Sequence, residues 1–308
     1  MGRKMNLLID PSTKCQVSCT ICPVYAYEER FIEPCSMTFE VASKIAAHFR
    51  GKVGQLVIGN WSEPFLNESL FDIVDVFRKN GLQVISVNTN FSTLIDMARL
   101  LKSGITTLYV SLSGITEDVY VKYHRKGDLD LVLGNIREFA SRQGKRGKPK
   151  LVVNWHRFKH NEHQREDART MMREMGVGFK DYYAHPGCVE HTVDYLTNPD
   201  GMSEDSLRFI EESVFSDKIR AMCNWNKRAK ACKQRELITV HADGSLLTCC
   251  ALYTAYKDKS SVPVYEMTMK QIKEFKSRKG DYCLRCLLNG VAGYFNSPKT
   301  DAFYKGKI

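Results

Sequence analysis

Apolar residues along this chain come in two rhythms. Short runs of five or six residues with two or three apolar positions alternate with longer stretches in which apolar residues recur every three or four residues. The runs at 6–10, 55–59, 83–87, 106–111, 150–154 and 178–182 predict six strands. Between them, Val41, Ile45 and Phe49 predict a helix over 38–49. Leu70, Ile73, Val74 and Phe77 make one face of a second helix. Further helical stretches are expected at 92–101, 116–124, 129–141 and 162–175, the last with Met171 and Met175 on its buried face. The strand runs are apolar without alternation, as in parallel strands covered by helices. Six strand–helix repeats with right-handed crossovers predict an α/β fold, a partial (β/α)6 TIM-like barrel whose loops after the strands carry the chemistry.

Past this repeat the rhythm fails. Pro186, Gly187, Pro199 and Gly201 mark residues 185–205 as a linker, and Leu207, Ile210, Val214 and Phe215 suggest a helix that bridges onward. The remainder, 232–308, is small and rich in cysteine. Two strand runs at 237–240 and 246–249 flank Asp243-Gly244, a hairpin turn signal, and a helix is expected over 267–276. The expected division is a barrel over 1–184, a linker and bridging helix over 185–231, and a small α+β unit with its tail over 232–308. So small a unit has little core of its own, and a metal centre would supply folding energy.

Composition narrows the chemistry. Apolar residues make up 43% of 308, enough for a substantial core. No stretch reaches the length needed to span a bilayer, and the basic tip at the start is followed by too short an apolar run for a signal peptide. A cytoplasmic location without membrane association is expected. The formal charge of +10 points only weakly towards anionic partners, and a solvated basic surface is the plainer reading. The basic runs at 141–150 and 227–235 read as solvated loops, and no nucleic-acid partner is expected. Eleven cysteines is a high number for a reducing compartment, and an odd number cannot form a complete disulfide framework. Grouped thiols there point to metal or iron–sulfur ligation.

Cys15, Cys19 and Cys22 form C-x3-C-x2-C directly after the first strand. Three close thiolates suit iron or zinc and leave the fourth corner of an iron–sulfur cube without a local protein ligand. This segment resembles the signature of the radical S-adenosylmethionine (SAM) superfamily, with Ile21 where that family usually has an aromatic residue. The resemblance implies a [4Fe-4S] cluster on the three thiolates. Its open iron would chelate SAM, and one electron would split the sulfonium to a 5′-deoxyadenosyl radical. IGNWSEPF, at the end of the second strand, resembles the family's Gly-Gly-Glu-Pro segment, with Ser62 and Glu63 as SAM contacts. The end of strand four, with Ser111 and Ser113, resembles the segment that reaches the SAM ribose. Asn88 and Asn90, then Asn154 and His156, end neighbouring strands in the same direction, and Asn90 and Asn154 are expected to touch the cofactor.

Downstream, Cys232, Gly244 and Cys249 precede a Cys283-x2-Cys286 pair expected at a helix end. The pattern resembles the twitch domain, the shortened form of SPASM. The resemblance implies that Cys232, Cys249, Cys283 and Cys286 hold an auxiliary [4Fe-4S] cluster; by thiolate chemistry alone, zinc would serve as well. Cys250 follows a predicted ligand. In the twitch-type epimerases that this chain resembles, such a thiol returns hydrogen to the substrate radical, and Cys223 is the second candidate for that role. These resemblances imply an epimerase acting on a sugar, an aminoglycoside or a peptide. The alternatives are a dehydrogenase of a sugar or cyclitol alcohol, a peptide cross-linking enzyme, and a non-enzymatic metal-stapled binding or electron-transfer protein. An external one-electron donor such as flavodoxin or ferredoxin is the expected partner. Tyr182, Tyr183, His185 and Asp194 are candidates for recognising the substrate.

Overall fold

The computed structural model describes residues 4–26, 32–143, 147–227, 232–294 and 302–303. Parts of both basic runs, 144–146 and 228–231, lie outside the described residues. The six expected strands are present as β1 (Met5–Ile9), β2 (Val53–Ile58), β3 (Ile85–Thr89), β4 (Thr107–Leu112), β5 (Lys150–Arg157) and β6 (Gly178–Tyr183). They pair in chain order, all parallel, and the sheet stays open at β6. The architecture is the α/β partial TIM-like barrel that the repeat predicts.

Helices α1 (Pro23–Ala26), α2 (Phe39–His48), α3 (Leu70–Lys79), α4 (Met97–Lys102), α5 (Glu117–Tyr120), α6 (Leu129–Gln143) and α7 (Arg165–Glu174) fill the crossovers. Local signals place their ends. Thr38 caps α2 by accepting from the Val41 amide, and Asp96 caps α4 through the Arg99 amide. The buried face of α3 consists of Leu70, Ile73, Val74 and Phe77, the four positions picked out by their spacing. On α7 the fully buried residues are Ala168 and Met172, while Met171 and Met175 are half-buried and pack against the same core; residues 159–164 form a separate 3₁₀ turn, so the α-helix starts three residues later than expected. The helix expected over 92–101 likewise begins only at Met97.

Burial alternates along β4 and β5, where the sequence suggested uniform runs. Leu108, Val110 and Leu112, then Leu151, Val153 and Trp155, face the helices and join the main core. Tyr109, Ser111, Val152, Asn154 and His156 are only half-buried, since they face the inside of an open barrel that holds a cavity.

The chain beyond β6 departs further from expectation. Residues 185–205 are not an open linker. They contain α8 (Val189–Thr197), most of which is buried, followed by α9 (Glu204–Ser213) and α10 (Ser216–Asn226). β7 (Leu237–Val240) and β8 (Leu246–Leu247) do form the hairpin, with Gly244 in the left-handed region at φ 87°. β7 then pairs in parallel with β1, so the hairpin extends the barrel sheet. α11 (Met269–Ser277) carries a capping box from Thr268 and Gln271 and sends Ile272 and Phe275 into the main core. Cys283 and Cys286 lie within α12 (Asp281–Leu288), one turn apart on one face, instead of at its end. A second core joins Leu8, Phe158 and Ala184 of the barrel interior to Cys250, Cys286 and Val291.

Candidate active site

The loop after β1 is fastened on three sides. Ser18 and Thr20 donate backbone amides to the Arg125 and Tyr123 carbonyls (2.8 and 3.0 Å), and Glu63 donates its own to Lys14 (2.9 Å). The Gln16 amide reaches Asn90 Oδ1 and the Ser92 carbonyl (2.9 and 2.7 Å). Asn90 Nδ2 in turn donates to Cys15 Sγ (3.5 Å). Ile21 is fully buried in the loop, so its side chain serves packing. Gly187, at φ 84°, backs directly onto it: a Cβ there would lie 2.2 Å from the Ile21 carbonyl.

Held in this way, Cys15, Cys19 and Cys22 line one wall of a cavity of about 330 Å³ at the carboxyl ends of the strands. Burial pushes the Cys15 thiol up to about 11 and the Cys22 thiol up to about 12, and Cys19 rises for the same reason. Metal binding must therefore displace their protons. All eleven cysteines are unbridged. The donor set fits an open-cornered cube: three thiols on one wall, with no fourth cysteine among the described lining residues.

Opposite the thiols stand the ends of the other strands. Ser62, Asn88, Asn90, Ser111 and Asn154 all line the cavity, as do His156, Tyr182 and His185. Ser111 and Asn154 are side by side in register. Two of the residues expected at SAM do not line it. Ser113 is fully buried and bonded to His124 Nδ1 (2.7 Å). Glu63 is also fully buried; its carboxylate accepts from the Thr89 hydroxyl (2.8 Å), the Asn90 amide (2.8 Å) and the Phe65 amide (3.1 Å). Glu63 thus locks the end of β2 to the end of β3, and burial raises its carboxyl to about 7. Of the other recognition candidates, Tyr183 lies under the Arg157 guanidinium and Asp194 is taken by Tyr282 and Arg285.

Asp10 has a role that the sequence reading missed. At the end of β1 its buried carboxylate accepts from the Asn60 and Trp61 amides (3.2 and 3.3 Å), the Ser62 hydroxyl and the Tyr256 hydroxyl (3.2 Å). Asn60 Nδ2 also donates to the Cys250 carbonyl (2.9 Å). A lone Asp at a strand end gives no periodic signal, and only its position directly after an apolar run could have flagged it. Tyr123 and His124, also unanticipated, line the cavity and pack against His156.

The second group of cysteines also comes together. Cys286 is raised by burial first and then by the nearby Cys249, Cys232 and Cys283 thiols. Cys249 is pushed up by the adjoining Cys250 thiol and by burial. Among the described residues no three Cys, His, Asp or Glu side chains converge on one ion centre, at this group or at the first. Neither candidate hydrogen donor lines the cavity. Cys250 points its thiol at Gln234 Oε1 (3.3 Å), and Cys223 is on the buried face of α10, its thiol raised by burial to about 12.

Residues 9–172 match the family described as the Radical SAM superfamily. A probable GTP 3′,8-cyclase of Metallosphaera sedula is 27% identical over 179 residues, which cover 57% of this chain and 54% of the relative. The chain spans about half the length of the curated relatives it matches. Among solved structures, Streptococcus suis SuiB bound to S-adenosylmethionine superposes with a TM-score of 0.60 at 14% identity, over 93% of this chain and 72% of that one. Native anSMEcpe with bound AdoMet gives 0.57 at 17% identity, over 97% and 96%. At these identities the likeness is one of fold.

Two outcomes test this geometry. Gly59, at φ 93°, has room for no Cβ, which would sit 2.6 Å from Pro64 Cγ and 2.7 Å from the Asn88 carbonyl. Gly59→Ala is expected to cost more than about 1 kcal/mol in urea unfolding. For Glu63, a carboxyl raised from 4.5 to about 7 binds its proton more tightly when folded, so its contribution to stability is full below pH 4.5 and is lost as pH rises through 7. His156 and His185, lowered by burial to about 3 and about 4, act in the opposite sense. In the apoprotein, the stability of Glu63→Gln relative to the unaltered chain should therefore rise between pH 4.5 and 7.

Proposed function

Since the chain belongs to the radical SAM superfamily, we propose that it oxidises a small, uncharged, hydroxylated substrate by dehydrogenation at the barrel mouth. The observation that carries this reading is the make-up of the cavity wall. Among the described residues lining it there is no Asp, Glu, Lys or Arg, and no thiol besides Cys15, Cys19 and Cys22. A polycationic aminoglycoside would leave its charges unpaired there, and a triphosphate such as that of the GTP cyclases would find no cation. The epimerase reading asks for a thiol facing the substrate carbon, and Cys250 and Cys223 both lie off the cavity. Imidazoles and phenols take that position instead.

Cys15, Cys19 and Cys22 would hold the cluster that binds SAM, which would supply a hydrogen-abstracting radical, and Cys232, Cys249, Cys283 and Cys286 would hold a second cluster, which would supply an acceptor for one electron. The chain's own part is to hold and deprotonate the alcohol. Asn88, Asn154 and Ser111 offer neutral donors and acceptors to hydroxyl groups. His156 lies between Tyr182 and Tyr123, with ring centroids at 5.1 and 5.7 Å, and is stacked near His124. Burial lowers it to about 3, so it is neutral at pH 7 and can accept the hydroxyl proton. Loss of hydrogen from its own carbon acidifies the hydroxyl, which narrows the gap to this weak base.

The test is incubation with SAM and reductant in heavy water against a panel of neutral polyols and cyclitols. The expected product lacks two hydrogens and carries no solvent deuterium. A product of unchanged composition with deuterium on carbon would restore the epimerase reading. His156→Ala should lower product formation by about 10²–10⁴-fold while 5′-deoxyadenosine still forms.

A further inference from the structure

A second cavity, of about 850 Å³, opens at the amino ends of β1, β2 and β7, the end of the sheet away from the mouth. Its lining holds six cations and a single carboxylate, Glu236. The cations fall into two kinds. Arg235 and Lys276 form the inner wall and have committed their donors: Arg235 to the Lys276 and Ser277 carbonyls, and Lys276 Nζ to the Thr248 and Leu247 carbonyls (2.6 and 3.3 Å). Lys4, Lys52, Lys233 and Lys273 form an exposed rim, and among the described residues none of them pairs with a carboxylate.

The inner wall backs directly onto the second cysteine group. Lys233, Gln234 and Arg235 follow Cys232 in one 3₁₀ turn, Gln234 accepts from the Cys250 thiol, and Lys276 holds the carbonyl of the residue before Cys249. We propose that this groove docks a small acidic one-electron carrier protein against the wall that covers Cys232 and Cys249, an inference that rests on the reading of those cysteines as cluster ligands.

Three features favour that occupant. Unpaired rim lysines on flexible stems steer a protein partner more than they build a pocket for a small anion, whose natural donors, Arg235 and Lys276, are already engaged. The groove has no aromatic residue among its described lining, so it lacks the stacking platform of a single-stranded nucleic-acid site. Electron-transfer encounters are small and charge-driven, which matches a cationic rim around an apolar floor of Met5, Leu237 and Ile272.

The experiment titrates an oxidised flavodoxin into the reconstituted holoprotein and follows binding by flavin fluorescence at low and high salt. Binding should weaken steeply with salt. The combined Lys4→Glu, Lys52→Glu, Lys233→Glu and Lys273→Glu variant should bind at least about tenfold more weakly, with the salt dependence flattened. The matching four Lys→Arg changes should retain binding, which separates charge from loss of fold. A charge-reversed protein that binds flavodoxin as tightly as the unaltered one overturns the proposal. So does an unaltered protein that ignores flavodoxin but takes up inorganic pyrophosphate or an RNA oligonucleotide. Iron content, read in parallel, keeps the two readings apart: docking retained with about four irons per chain instead of about eight leaves the surface standing and removes the second cluster.

Discussion

The polarity of the sheet is the constraint on which everything else depends. Because β1 to β6 run parallel in chain order, every crossover returns the chain to the same end, and six loops meet at one mouth. The three thiols after β1 therefore share a cavity with the ends of β2, β3, β4 and β5 without being near them in sequence. The alternating burial of β4 and β5 follows from the same fact. One side of each strand packs on helices, and the other side supplies Ser111, Asn154 and His156 to the opening.

Two buried carboxylates keep that mouth in shape. Glu63 ties β2 to β3 by accepting amide and hydroxyl donors that the turn would otherwise leave unsatisfied. Asp10 gathers the Asn60, Trp61 and Ser62 turn and, through Tyr256, reaches the segment that follows Cys249 and Cys250. Val189 and Glu190 on α8 hold the same segment through Ala251 and Thr254. The two cysteine groups are thus joined by a continuous hydrogen-bonded structure, and the β7–β8 hairpin continues the barrel sheet.

The barrel was legible because its signals are local and repeated. Four apolar positions on α3, a threonine cap on α2 and strand runs of the right length each speak without tertiary context. The first cysteine triplet was legible by its spacing. What escaped was set by packing across long distances. The Pro- and Gly-marked stretch from 185 reads as a linker, yet α8 is buried because the second core needs Val189, Val193 and Tyr195. Glu63 and Ser113 sit in segments that pointed to the cofactor, but their side chains turn inward to satisfy the backbone and a histidine. Cys250 is next to a predicted ligand in sequence, and its thiol stays beside the Cys249 thiol and Gln234 instead of reaching the mouth.

The central claim is that the cluster on Cys15, Cys19 and Cys22 keeps one iron open to SAM. The most direct measurement uses the chain with Cys232, Cys249, Cys283 and Cys286 all changed to Ala, reconstituted without oxygen, reduced, and examined by electron paramagnetic resonance with and without SAM. The account predicts about four irons per chain and a cluster signal whose shape changes on adding SAM. A signal indifferent to SAM, or zinc bound in place of iron, would contradict it.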